Sequence, residues 1–141
     1  MTDSKPISQT SSLVGLQLGD YQILRRLGHG GMSVVYLAEQ QSLKRRVAFK
    51  VLKSELAKDT TYVRRFHKEA QAAASLVHAN IVQIYEVGEQ EGIHYIVQEY
   101  VPGQNLAQYI RRHSSVSVPL SIVILKQVAA ALHRAGDQGI T

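Results

Sequence analysis

The chain has no cysteine among its 141 residues, so disulfides, thiolate nucleophiles and sulfur-ligated metal sites are all excluded. It has no uninterrupted apolar run near the ~20 residues a membrane span needs. Its opening residues, MTDSKPISQTSSLVGLQLGD, lack the charged-then-apolar layout of a secretory signal. No two of its six histidines stand three or four residues apart, so the helical pairing that marks many metal sites is missing. No internal repeat is visible. These absences leave a single soluble-type domain, for which a cytoplasmic location is the expectation.

Composition is ordinary: 45% hydrophobic and 19% charged residues, with a net charge of +5 from 16 Lys+Arg against 11 Asp+Glu. The basic residues fall in scattered groups, Arg25-Arg26, Lys44-Arg45-Arg46, Arg64-Arg65 and Arg111-Arg112. Neither aromatic interleaving nor a zinc-knuckle spacing accompanies them, so they read as solvated surface and no nucleic-acid partner is expected.

Residues 1–17, rich in Ser, Thr and Gln, read as a flexible tail. Tyr21 to Leu24, Val34 to Ala38 and Arg46 to Leu52 read as three strands of an antiparallel meander. A helix follows, capped by Thr60 or Thr61, with Val63, Phe66, Ala70, Ala73 and Val77 at helical spacing. His78-Ala79-Asn80 breaks it. Ile81 to Val87 and Ile93 to Val97 read as two more strands. After Pro102-Gly103 come a short helix from Asn105 to about Arg112 and a longer one from about Pro119 to His133, with Ser117 a cap and Gly136 a stop. The order predicts an α+β fold in which one helix packs on a five-stranded antiparallel sheet.

Between the first two strands lies Gly28-His29-Gly30-Gly31-Met32-Ser33. Taken alone, this segment fits a plain hairpin turn and a backbone flap over a phosphate chain equally well. On the third strand the period of two places Ala48, Lys50 and Leu52 on one face. A lysine among apolar neighbours either snorkels to water or meets an anion. Glu69 falls on or beside the apolar stripe of the first helix, where a carboxylate needs a cation. Lys50 is the expected partner, with Arg65 one turn earlier the alternative.

With these residues in view, the sequence resembles the amino-terminal lobe of a protein kinase of the bacterial eukaryotic-like Ser/Thr type. Gly28 to Val35 resembles the glycine-rich loop G-x-G-x-x-G-x-V, with Ser33 at the third glycine, and Val47-Ala48-Phe49-Lys50 resembles V-A-I-K. Phe66-His67-Lys68-Glu69-Ala70 looks like the segment that carries the family's pairing glutamate. His78-Ala79-Asn80-Ile81-Val82 is similar to His-Pro-Asn-Ile-Val, with Ala79 for proline, and Tyr95 to Gly103 resembles the last strand and hinge. The motifs cover residues 18 to 141. The resemblance implies a kinase amino-terminal lobe over 18–101, followed by the hinge exit and first helices of an incomplete helical lobe over 102–141.

It also implies roles. ATP would lie beneath Gly28, His29, Gly30, Gly31, Met32 and Ser33, with Lys50, paired to Glu69, on its phosphates. Leu27, Val35 and Ala48 would sandwich adenine. Glu99 and Val101 would supply backbone hydrogen bonds at the hinge, Gln98 would stand as gatekeeper, and Asn105 would lie near the ribose. Ala73 and Ile84 would belong to the apolar stack between lobes. ATP would come with Mg, whose ligands in the family lie in a catalytic loop H-R-D-L-x-x-x-N and a later D-F-G that this sequence does not contain; His133-Arg134-Ala135 lacks the aspartate. The family's partner is a protein substrate. A chain ending at Thr141, with Ile122, Leu125, Val128, Ala129 and Leu132 forming an apolar stripe on the last helix, is expected to be a fragment without phosphotransfer activity. The alternative is a non-catalytic, pseudokinase-like interaction module.

Overall fold

In this computed structural model the described residues are 12–140. Strands β1 (Gln17–Leu18), β2 (Tyr21–His29), β3 (Ser33–Gln40) and β4 (Arg45–Leu52) precede helix α1 (Thr60–Ala74). Strands β5 (Ile84–Gln90) and β6 (Ile93–Glu99) follow, and then helices α2 (Leu106–His113) and α3 (Val118–Asp137). The strands form one sheet in the order β1-β2-β3-β4-β6-β5, antiparallel throughout.

The sheet therefore has six strands rather than the expected five, because β1 adds to the β2 edge. Of its two residues, Gln17 was expected in the tail and Leu18 at the start of the lobe. Residues 1–11 lie outside the described residues, but 12–17 are held to the sheet at Leu13 and by backbone hydrogen bonds, although the other side chains are exposed. Leu13 is buried, the Gly15 N–H donates to the Ile23 carbonyl, and the Ile23 N–H donates to the Leu16 carbonyl. Two leucines five positions apart, Leu13 and Leu18, close one end of the core there. The apolar residues here, Leu13, Val14, Leu16 and Leu18, are broken up by Gly15 and Gln17 and follow a Ser/Thr/Gln-rich start, so the stretch does not read as a strand.

Other boundaries move for local reasons. Strand β2 runs on through Gly28 to His29, with bulges between Ile23 and Arg25 and between Arg26 and Gly28. The cap of α1 is Asp59, whose carboxylate accepts from the Thr61 N–H at 2.8 Å, so neither threonine has that role. The helix ends at Ala74, short of Val77. Strand β5 starts at Ile84, since Ile81 closes a turn on the His78 carbonyl and the pairing with β6 shifts between Ile84 and Glu86. Helices α2 and α3 carry Asn105 and Ser117 as caps. Gly136 lies inside α3, and Gly139, at φ +72°, sits just past the helix end instead.

Strand β4 divides the core. Val47, Phe49 and Val51 enter a cluster with Tyr21, Tyr36 and Tyr95, in which the fully buried Phe49 ring stacks on Tyr95 at 4.8 Å. Leu52 joins Ile96, Phe66 and Ala70 in a second cluster beneath α1. The close approach of β5 to β6 requires Gly88, where a Cβ would lie 2.6 Å from the Tyr95 hydroxyl. The Tyr21 and Tyr95 hydroxyls both donate to the Glu86 carboxylate, and burial with that nearby anion pushes both phenols above the ordinary tyrosine range.

The α3 stripe is exposed, with Leu125 66% and Leu132 67% accessible. By length and composition α3 could cross a membrane, but two contacts dock it on the rest of the chain. Asn80 donates to the Gln127 carbonyl and Ser75 to the Gln138 side chain.

Replacing Phe49 by Ala should cost about 3–5 kcal/mol of unfolding free energy, read from urea denaturation, because the cavity opens at the centre of a stacked aromatic cluster.

Candidate functional site

Cross-strand register sets the site. Lys50 stands between Val35 on β3 and Ile96 on β6, and Ala48 between Leu37 and Gln98. Ile96 packs on α1, so Val35, Ala48, Lys50 and Gln98 share the helix-covered face, as the strand's period of two requires. Ala48 is buried, while Val35, Lys50 and Gln98 are half-buried.

The glycine segment is a hairpin tip. Gly28 pairs with Val35 and His29 with Val34, and the Gly30 N–H donates to the Ser33 carbonyl at 2.8 Å. The Lys53 N–H donates to the Met32 carbonyl, tying the tip to the end of β4. Ser33 is buried, Gly28 and Met32 are half-buried, and Leu27, His29, Gly30 and Gly31 are exposed. A Cβ at Gly28, Gly30 or Gly31 would meet nothing within 4 Å, and none of the three has a positive φ. The fold thus has no need for bare backbone here, and a plain hairpin turn does not account for three glycines.

The expected Lys50–Glu69 ion pair is not formed. Among the described residues the ion pairs are His94–Glu89 and His133–Asp137, so neither Lys50 nor Arg65 pairs with Glu69. Glu69 is exposed. The apolar residues Val63, Phe66 and Ala70 fix the seat of α1, and burial of apolar area sets it more strongly than one ion pair could. With Glu69 exposed and Lys50 only half-buried, pairing would add desolvation and side-chain ordering to a small Coulomb gain.

At the hinge, the Glu99 N–H donates to the Gln83 carbonyl and its carboxylate accepts from the Gln83 N–H. The exposed Val101 N–H has no hydrogen-bond acceptor among the described residues. Asn105 caps α2 in a reciprocal box with Gln108, both bonds at 2.8 Å. Ile84 lies under α1 and Ala73 is half-buried. A cavity of about 450 Å³ lies behind the hinge, lined by the 79–82 loop, Glu99, Val101 and residues of α3.

Sequence reasoning missed a polar contact under the same helix. His67 of α1 and His94 of β6 meet ring to ring at 2.9 Å. A search for histidines three or four residues apart could not find partners separated by 27 positions, which only the β6 register brings together.

A family model described as "Protein kinase domain" matches residues 21–141. The chain is 46% identical over 129 residues to the serine/threonine-protein kinase PrkC of Bacillus subtilis, covering 91% of this chain and 20% of that protein. It is 43% identical to the probable serine/threonine-protein kinase CPE1738 of Clostridium perfringens, covering 91% and 19%. Among solved structures, the Mycobacterium tuberculosis PknI kinase domain superposes with a TM-score of 0.77 at 30% identity, covering 92% of this chain and 52% of that domain. The chain thus spans about a fifth of the length of these curated relatives and about half of the solved kinase domain.

A double-mutant cycle with Lys50→Met and Glu69→Gln, measured by denaturation without nucleotide, should give a coupling energy below about 0.5 kcal/mol.

Proposed function

The chain belongs to the protein kinase family, and we propose that it forms the ATP-binding part of a serine/threonine kinase. One observation carries this reading: a half-buried lysine on the helix-covered face of β4, near a hairpin tip whose glycines the fold itself does not require. Bare backbone there leaves room for a phosphate chain to approach the amide groups, and the Lys50 ammonium supplies the compensating charge.

The residues present fit a nucleotide. Gly28, His29, Gly30, Gly31, Met32 and Ser33 would cover the phosphates, and Lys50 would hold the α- and β-phosphates. Leu27, Val35 and Ala48 would offer apolar surface to a flat base, and the unengaged Val101 N–H would donate to one of its acceptors. Glu99 contributes its backbone carbonyl, and Gln98 borders the back of the base pocket. Asn105, committed to its helix cap, is a weaker ribose contact. Glu69 would pair with Lys50 only after α1 shifts toward the sheet, the lysine then standing between the carboxylate and the phosphates. In the family, MgATP supplies the phosphoryl group that passes to a protein Ser or Thr hydroxyl, and electrostatic positioning does most of the work. The Mg ligands and the aspartate that orients the hydroxyl are absent from this sequence, so a polypeptide of these 141 residues alone would bind nucleotide without transferring phosphate.

The alternative, a non-catalytic interaction module, draws on the exposed apolar stripe of α3. ATP titration separates the two, since such a module has no need of nucleotide affinity.

Gly30→Val should leave stability within about 0.5 kcal/mol of wild type while ATP affinity, measured by calorimetric titration, drops several-fold. Unchanged affinity would remove the flap from the site. Assayed with radiolabelled ATP and a basic protein substrate, the 141-residue chain should give no turnover; turnover abolished by Lys50→Met would refute the inactive reading.

A further inference from the structure

The contact between His67 and His94 has no part in the nucleotide reading. The His67 Nε2 and His94 Nδ1 atoms lie 2.9 Å apart, and the rings meet edge to face, centroids 5.1 Å apart. His94 is only 8% exposed. Its cross-strand partner Glu89 brings a carboxylate oxygen to 3.8 Å from the same Nδ1, and the Phe66 ring stands edge-on to His67. The contact joins α1 to the β5–β6 hairpin on the face that also carries Lys50.

A nitrogen-to-nitrogen bond of this length holds one proton between two rings, so one imidazole must be an unprotonated acceptor. A first added proton is tolerable, because the pair keeps one acceptor and Glu89 offsets the charge. A second proton removes the acceptor and sets two cations in contact at a partly buried site. We propose that the His67–His94 bond is a pH-dependent latch that seats α1 on the sheet near neutral pH and releases it when both imidazoles are protonated.

The surrounding charges are few. Strand β5 contributes Glu89, and β6 contributes His94 itself. On α1, Arg64 and Lys68 flank His67 and are exposed, and Glu69 is exposed beyond them. Strand β4 ends beside β6 in the apolar Val51 and Leu52, with Lys53 following. Burial, then the neighbouring His94, lowers His67 from its ordinary value of 6.5, with Glu89 opposing. The unfolded chain therefore takes up that proton first. The stabilisation is complete above pH 6.5 and is lost as pH falls from there toward the depressed folded value.

The latch is closed in a structure whose Lys50 and Glu69 are apart, so it fixes α1 where those charges do not meet. That consequence rests on the proposed nucleotide site; the latch does not, and the test below reads the helix alone.

Hydrogen exchange of α1 amides, corrected for intrinsic rates and compared with β4, measures release directly. In the wild-type protein, α1 protection should fall by up to about tenfold per pH unit below pH 6.5, relative to β4. In His67→Leu that relative loss should disappear. A pH-independent α1 in the wild type, the same loss in His67→Leu, or abolition of the effect by a chelator would each overturn the latch, the last by assigning the pair to a metal ion. Should His67→Leu fail to fold, the ring nitrogens of the wild type still decide the matter by nitrogen NMR. Two coupled steps with separated midpoints support the latch, and two independent titrations overturn it.

Discussion

The alternation of side chains along β4 is the constraint on which the rest of the structure depends. Because β4 is paired on both edges, by β3 and by β6, its register cannot slip without turning every side chain over. Val47, Phe49 and Val51 are committed to the aromatic cluster around Tyr21 and Tyr95. Ala48, Lys50 and Leu52 are thereby committed to the face under α1. A lysine is held half-buried on that face by the burial of its strand neighbours, with no ion-pair partner among the described residues.

The same apolar burial explains why the helix sits where it does. Phe66 and Ala70 seat α1 on Leu52 and Ile96, and the polar residues between them take whatever positions that seat leaves. His67 is left against His94, and Glu69 is left exposed. Two charges held apart are the outcome that physical chemistry favours here, since an ion pair with an exposed carboxylate has little to gain. Bringing the two charges together would require α1 to move toward β4.

Much of this was legible in advance where a local pattern carried it. Strands β3, β4 and β6 follow from β-branched and aromatic runs, and the cap at Ser117 from a short polar side chain before helical periodicity. The order of kinase-like motifs fixed the family resemblance, and the family model covers the same stretch. Illegible features depended on long-range pairing. The β1 edge is a two-residue strand anchored by Leu13 and Leu18 against the core, and the Glu86 contact with two tyrosines joins residues up to 65 positions apart.

The amino-acid sequence by itself determined the α+β order, the glycine hairpin and the face of β4 on which Lys50 lies, because each follows from spacing within one element or between neighbours. Whether charges on different elements meet was decided only by tertiary structure. Lys50 and Glu69 looked like partners and stand apart; His67 and His94 gave no sign of partnership and touch. The reason is that apolar packing sets helix position and rotation to within a few ångströms, and over that range an ion pair or an imidazole contact is either made or lost.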